Sequence, residues 1–518
     1  MSPLAPAVTL AVPSLLLYLW RGRFPSRVAY ALSLAGPAAA LLIALALSVQ
    51  GSPDLSWRWD PAAVPAQQPR LAAQPVSLAF IFTLSFVALA ALGSRPATDE
   101  PSLWTDLLVL AATAFFLTAA NPTALLLAWF LLDASLFLST TAWLGLGPAI
   151  RLAGTNLLGG TAWILFTSIS IQTGGDPALS AGLAGIALWV RSGLYPAQSW
   201  VEVSGALPVW RRVWWESVNL AAAGYLWSLA AGPAWGLGWL GLLVSLRGLL
   251  DLWRGPSSIK FVQVQLGLGA ALAWAGSGIS GPVIALYFLS LLAAGAILHL
   301  SQDLLATGRR WAPLLATGLP TAIAAASLAG TPPTLGFAAR WLLYHELRDA
   351  PPPIFAMATL IFLLSLPPLA VALREKRSLG ISDEVGGWIW PWWLALPTAL
   401  LALTPFVLVR GGFPAGELWD SALAGGAKGY SLWVMLLVPA AGAGLLLLRW
   451  SELASFVQDL EERIAPGSRG ARIRWFLGAI GRAAGEILEA VAWLGRGRHG
   501  AIWLTLYALG IALLTFLM

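Results

Sequence analysis

The chain has 518 residues, 58% of them hydrophobic and only 10% charged, with a mean hydropathy of +0.76. A soluble chain carries about 25% charged residues, so a soluble globular protein is excluded and an all-α polytopic membrane protein is expected. The absence of cysteine rules out disulfides, iron–sulfur clusters and thiolate metal sites. The formal charge of +6 is spread over short segments between apolar runs rather than gathered into a patch for nucleic acid.

Apolar runs of the length needed to cross a bilayer as helix recur from one end of the chain to the other. In chain order they predict about sixteen spans, near 5–20, 28–50, 75–93, 103–119, 122–144, 150–172, 177–197, 209–231, 233–252, 259–278, 282–303, 312–331, 353–373, 388–409, 431–449 and 500–517. The first follows the start without a basic segment or a small-residue cleavage site, so it reads as a retained span. Residues 51–74 read as a polar, Pro-containing outer loop, and 335–347 as a partly apolar half-span. The segment 451–498 mixes apolar and charged residues at helical spacing. It reads either as an amphipathic element along the membrane surface or as a cytosolic linker helix pair.

These runs divide the chain into N-terminal spans (1–102), two units (103–231 and 233–373), C-terminal spans (388–449), the amphipathic segment (451–498) and a last span (500–518). Arg and Lys counts in alternate loops set the orientation. The segment 21–27, Arg211 with Arg212, Arg254 with Lys260, Arg309 with Arg310, the segment 374–377 and the Arg-rich 463–498 fall on one side. Arg58, Arg70, Arg348, Arg410 and Lys428 fall on the other, so both termini are expected to face outward.

Charge inside a span costs about 2.5–3.5 kcal/mol on insertion scales, so each such residue needs a reason. Four stand out: Asp133 in LLLAWFLLDASLFL, Arg191 in GIALWVRSGLYP, Glu216 in VWWESVNLAAAGYL and Arg340 in AGTPPTLGFAARW. Arg191 is followed by Gly193 and Pro196, and Arg340 is preceded by Pro332, Pro333 and Gly336. Proline removes a backbone donor and clashes with the preceding turn, so both helices are expected to break near the charge. Paired breaks in two halves of a transporter point to an ion or substrate path. Bland readings stand beside this one. Arg191 and Arg340 can snorkel to an interface, and Glu216 can pair with Arg212 at i,i+4 spacing. Asp133 is either protonated for want of a partner or kept ionised by Arg191. His299, His345 and His499 lie far apart, without metal-binding spacing, and no phosphate-binding glycine loop follows a strand-like run. Neither metal nor cofactor is expected.

Residues 329–341, AGTPPTLGFAARW, resemble the PPxxGFxxKW-like motif of the antiporter-like membrane subunits of respiratory complex I, most closely the N-type version. Relatives of that family occur in Mrp-type cation/proton antiporters, membrane-bound hydrogenases and bicarbonate-uptake complexes. RSGLYPAQSW (191–200) is similar to the family's K-x-x-x-x-P-x-x-x-W stretch, with Pro196 and Trp200 in register. NPTALLLAWFLLDASLF (121–137) and KFVQVQLGLG (260–269) resemble two further family stretches in the same order, and the resemblance covers roughly 75–410.

The resemblance implies two inverted five-helix repeats, each with a discontinuous helix, holding a mid-membrane line of Glu, Lys and His that relays protons. The broken-helix lysine of the first repeat falls on Arg191, and the charged residue of the second falls on Arg340. The span-five glutamate falls on Phe130, with Asp133 one turn later on the same face. The next helix, which carries Lys or His in relatives, offers Glu216 and Ala221. The lysine of the eleventh span is absent, leaving His299. Arginine stays protonated even when buried, so Arg191 and Arg340 are fixed charges rather than proton carriers.

The function expected from this resemblance is proton (or Na+) translocation by a membrane subunit of a complex I/Mrp-like assembly. Partner membrane subunits would supply the driving chemistry, and the chain would have no redox chemistry of its own. Its place would be the lipid bilayer of a bacterial plasma membrane, with no nucleic-acid partner. A non-conducting structural subunit of such a complex and an independent small-solute transporter are the alternatives.

Overall fold

A computed structural model of the chain describes residues 2–375 apart from 21–22, 52, 57–67, 94–102, 172–176, 196, 231–234, 255–257, 276–280, 307–318, 331–333 and 347–351. The expected spans 388–409, 431–449 and 500–517, the segment 451–498, and Pro196, Pro332 and Pro333 lie outside the described residues. Three helices come first: α1 (Ala5–Leu19), α2 (Ser26–Gln50) and α3 (Pro75–Gly93). A set follows of α4 (Leu103–Thr118), α5 (Pro122–Leu144), α6 (Leu146–Ile171), the two pieces α7 (Pro177–Arg191) and α8 (Ser199–Gly205), and α9 (Val209–Ala230). The same order then recurs as α10 (Trp235–Arg254), α11 (Ser258–Ala275), α12 (Gly281–Ala306), the pieces α13 (Leu319–Leu328) and α14 (Leu335–Glu346), and α15 (Pro352–Glu375).

Five of these helices are long and apolar enough to cross a membrane: α2, α3, α5, most of α6, and α12. The chain is a multi-pass membrane protein. Burial sorts these spans. The apolar window of α12 (Gly281–Leu300) is buried throughout, so α12 is interior, packed on α9, α11, α13, α14 and α3. Only a third of the α2 window is buried, and Leu42, Leu45 and Val49 point outward. An apolar outer face suits lipid as its solvent.

Within each set the packing follows the same plan. α4 packs on α5 and α9, as α10 packs on α11 and α15. The chain between α2 and α3 is not simply a loop. Within the expected outer loop it carries a small antiparallel pair, β1 (Leu55–Ser56) and β2 (Arg70–Leu71), a minor addition to an otherwise helical fold. The backbone of β2 is bonded to the α4–α5 turn: Ala72 N donates to Thr118 O (2.8 Å) and Ala120 N donates to Arg70 O (2.8 Å). Asn121 caps α5, its Oδ1 accepting from Ala124 N (3.0 Å) ahead of Pro122 at the first turn. The same oxygen accepts from Arg70 N (3.2 Å), so cap and hairpin are one structure.

Candidate functional site

Both breaks occur at the expected places and by similar means. α7 ends at Arg191 and α8 starts at Ser199; α13 ends at Leu328 and α14 starts at Leu335. Each gap contains a glycine in the left-handed region, Gly193 (φ 64°) and Gly330 (φ 66°), where a side chain is strained. Each also meets the element that follows the break. A Cβ on Gly193 would strike the Trp200 indole, and one on Gly330 would lie 2.7 Å from Arg340 Nη1. α14 folds back so closely that a Cβ on Gly336 would strike Ser327 O, while Gly336 N donates to Ser327 Oγ (3.0 Å). Gly336 belongs to this break by close approach.

The first break delivers Arg191 to the middle of α5. Arg191 Nη1 donates to Asp133 Oδ1 at 2.6 Å, and Asn156 Nδ2 of α6 donates to the same oxygen at 2.9 Å. Arg191 is 1% exposed, so it does not snorkel, and Asp133 pairs with it rather than standing alone. Its guanidinium carbon lies 5.1 Å from the centre of the Trp129 ring and 5.6 Å from that of Phe116. Among the described residues, Arg191 Nε and Nη2 have no hydrogen-bond partner. These N–H groups are left to the electron-rich ring faces, a weaker substitute for an oxygen acceptor. Phe130, where the resemblance puts a glutamate, is only partly buried.

The second break delivers Arg340, 7% exposed, to α11. Arg340 Nη2 donates to Gln265 Oε1 at 3.0 Å, and its guanidinium carbon lies 4.0 Å over the Phe362 ring. Gln265 Nε2 donates to Ser365 Oγ (3.1 Å), and Tyr287 Oη donates to the Gln265 carbonyl (2.8 Å). The network therefore ties α11, α12, α14 and α15 together. Gln265 was not among the expected site residues, although it stands in the stretch KFVQVQLGLG that carries part of the resemblance. A polar side chain facing inward on an apolar helix was the available signal.

Glu216 and His299 come together. His299 Nδ1 stands 3.2 Å from Glu216 Oε2, both side chains are buried, and Glu216 Oε1 has no hydrogen-bond partner among the described residues. The contact joins α9 of the first set to α12 of the second. It replaces the i,i+4 pair with Arg212, whose guanidinium is committed to the carbonyls of Ser204, Gly205 and Leu207 at the end of α8. Ala221, the other candidate on α9, is fully buried.

One buried pair escaped the sequence reading altogether. Arg211, counted above among the loop charges, is 0% exposed and forms an ion pair with Asp106, also 0% exposed. Arg211 sits near the start of α9 and Asp106 near the start of α4, positions where a charge in the sequence reads as a helix end in water. Among the described residues, no cluster of three or more His, Asp or Glu side chains is placed to hold a metal.

Solved structures of membrane complexes carry this arrangement of helices. A chain in the structure of the Mrp complex from Dietzia sp. DQ12-45-1b matches with TM-score 0.71 and 18% identity, over 99% of this chain and 62% of that one. A chain of the membrane-bound sulfane sulfur reductase, an archaeal respiratory membrane complex, matches with TM-score 0.67 and 14% identity, over 99% of both chains. The fold is that of chains in these membrane complexes. Respiratory complex I from Thermus thermophilus with bound aureothin provides a third match, TM-score 0.61 and 20% identity over 78% of this chain and 98% of that one. The present chain thus spans about three fifths of the length of the Mrp chain. No protein-family model and no curated protein matches the sequence. The neighbours agree with the resemblance to the antiporter-like subunit family that the motifs carry.

Proposed function

We propose that this chain is a membrane subunit of a complex I/Mrp-like assembly and takes part in moving protons, or Na+, across the membrane while partner subunits supply the driving force. The observation that carries this reading is the Glu216–His299 contact, a carboxylate and an imidazole 3.2 Å apart inside a membrane-spanning bundle. A carboxylate and an imidazole are side-chain types that can pass a proton, and ionisable residues kept inside such a bundle are otherwise a cost without return. Asp133 is a third titratable group, its charge balanced by the fixed charge of Arg191. A proton reaching Asp133 would neutralise the carboxylate and leave the arginine charge uncompensated. That changes the field felt by neighbouring groups without Arg191 giving up its own proton. In this reading Arg191 and Arg340 act as electrostatic switches, and the order of elements, repeated twice, supports two inverted five-helix repeats. The membrane would be a bacterial plasma membrane, with both termini outside.

The test is proton movement in vesicles containing the assembled complex. Asp133→Asn and Glu216→Gln are each expected to abolish it while the complex still assembles. Wild-type rates in Asp133→Asn would remove Asp133 from the path.

One observation favours a second reading, that of a non-conducting structural subunit. Arginine stands at both broken-helix positions where relatives carry groups able to change charge, and Arg191 holds Asp133 in an ion pair. That reading predicts no proton flux and no effect of Asp133→Asn except on assembly.

A further inference from the structure

We propose that the Asp106–Arg211 pair is a gate that closes one end of the first helix set and separates water at that end from Asp133 and Glu216. The inference rests on the reading of those two residues as members of a translocation path.

The place comes first. The start of α4, the end of α5 and the start of α9 converge around the pair. Ser139 Oγ of α5 donates to Asp106 Oδ1 (3.4 Å), and the Arg211 guanidinium carbon lies 3.2 Å over the Trp143 ring. Trp210 and Trp214 flank it, with centroids at 5.8 and 5.9 Å, and Trp143 meets Trp210 edge-on. Deeper along the same helices lie the titratable groups. Asp133 is six residues from Ser139 on α5, about 9 Å at helical rise, and Glu216 is five residues from Arg211 on α9, about 8 Å. In the proposed gate, a route from this end to either residue passes the pair.

The chemistry comes second. Tryptophans on α5 and α9 already give this end an apolar seal, so packing does not require a charge. A buried ion pair is weak evidence for stability, because matched apolar side chains at such sites are often as stable or more so. What the pair adds is a closure between two helices that opens when one side chain turns away. The opposite end of the set is closed differently, by the backbone bonds of β2 to the α4–α5 turn and by Tyr225 Oη donating to Ala119 O (2.8 Å). Opening that end means breaking a hairpin from its seat. The Asp106–Arg211 end is the one closed by an ion pair between side chains.

This sequence has no cysteine, so a thiol introduced into it is read by itself once the labelled subunits are separated. Asn219→Cys places it three residues beyond Glu216 on the same face of α9, at a site now buried. In proteoliposomes holding the assembled complex, a small water-soluble methanethiosulfonate is expected to label this thiol slowly. Labelling should rise about tenfold or more in the Asp106→Asn/Arg211→Gln background, and should also rise in the unaltered pair when a pH gradient drives turnover. The apolar double variant Asp106→Leu/Arg211→Met is expected to assemble, keep the thiol protected and lose proton movement. Labelling that stays constant under the gradient, or wild-type transport in the apolar variant, would overturn the gate. If the unaltered complex moves no protons, the translocation reading fails by itself. The gate then stands or falls on labelling of the Asn/Gln variant.

Discussion

The two helix sets solve one problem with different chemistry. In each, a broken helix sends an arginine to the second helix of its own set, where a side chain from the third helix supports the acceptor. In the first set the acceptor is a carboxylate, Asp133, steadied by Asn156; in the second it is an amide, Gln265, steadied by Tyr287 through its carbonyl. The first set therefore holds a pair whose total charge changes when a proton arrives. The acceptor in the second set does not titrate. Proton-linked behaviour is expected from the first set and from its contact with α12 through His299.

That contrast orders the expected effects of substitution. Arg191→Ala strands the Asp133 carboxylate and should destabilise the protein by about 3–5 kcal/mol, the usual cost of breaking a buried pair. Unfolding in mixed detergent micelles would measure it. A loss under about 1 kcal/mol would mean that the pair is solvated. Arg340→Met removes a charge-assisted hydrogen bond to an amide and leaves no ionised partner on Gln265, so about 1.5–3 kcal/mol is expected in the same assay. Equal losses in the two variants would erase the contrast between the sets. Gly330→Ala adds strain at positive φ and crowds Arg340, with a cost of about 1–3 kcal/mol. The exposed Arg70–Asp54 pair on the hairpin is the low end of the scale: Arg70→Ala should shift stability by less than about 1 kcal/mol. The sharpest exchange is Gln265→Glu, which gives the second set the charge plan of the first. It is expected to preserve folding and to make proton uptake depend on residue 265 in the reconstituted complex. Uptake unaltered by the substitution would show that the chemistry of the acceptor does not distinguish the sets.

The positions of the broken helices were legible because glycine and proline act locally. A left-handed glycine and a missing amide donor interrupt a helix whatever surrounds them. Arg191, Arg340, Asp133 and Glu216 were legible for a related reason: charge in an apolar run is costly enough to be noticed in one dimension. Asp106 and Arg211 were not, because each lies within a few residues of a helix end. There a sequence cannot distinguish a charge in water from one turned inward. The partner of Glu216 was equally hidden, since Arg212 stood at helical spacing while His299 was more than eighty residues away.

By itself, the sequence determined the membrane class, the order of the helices through residue 375, the two breaks and the presence of fixed charge beside them. All of these follow from hydropathy and from backbone constraints that act within a few residues. Tertiary structure alone decided the partners: Asp133 with Arg191 and Asn156, Glu216 with His299, Arg340 with Gln265, Asp106 with Arg211. A buried charge is stabilised by whichever polar atom the packing of distant helices brings within about 3 Å. That distance is set in three dimensions by the whole bundle.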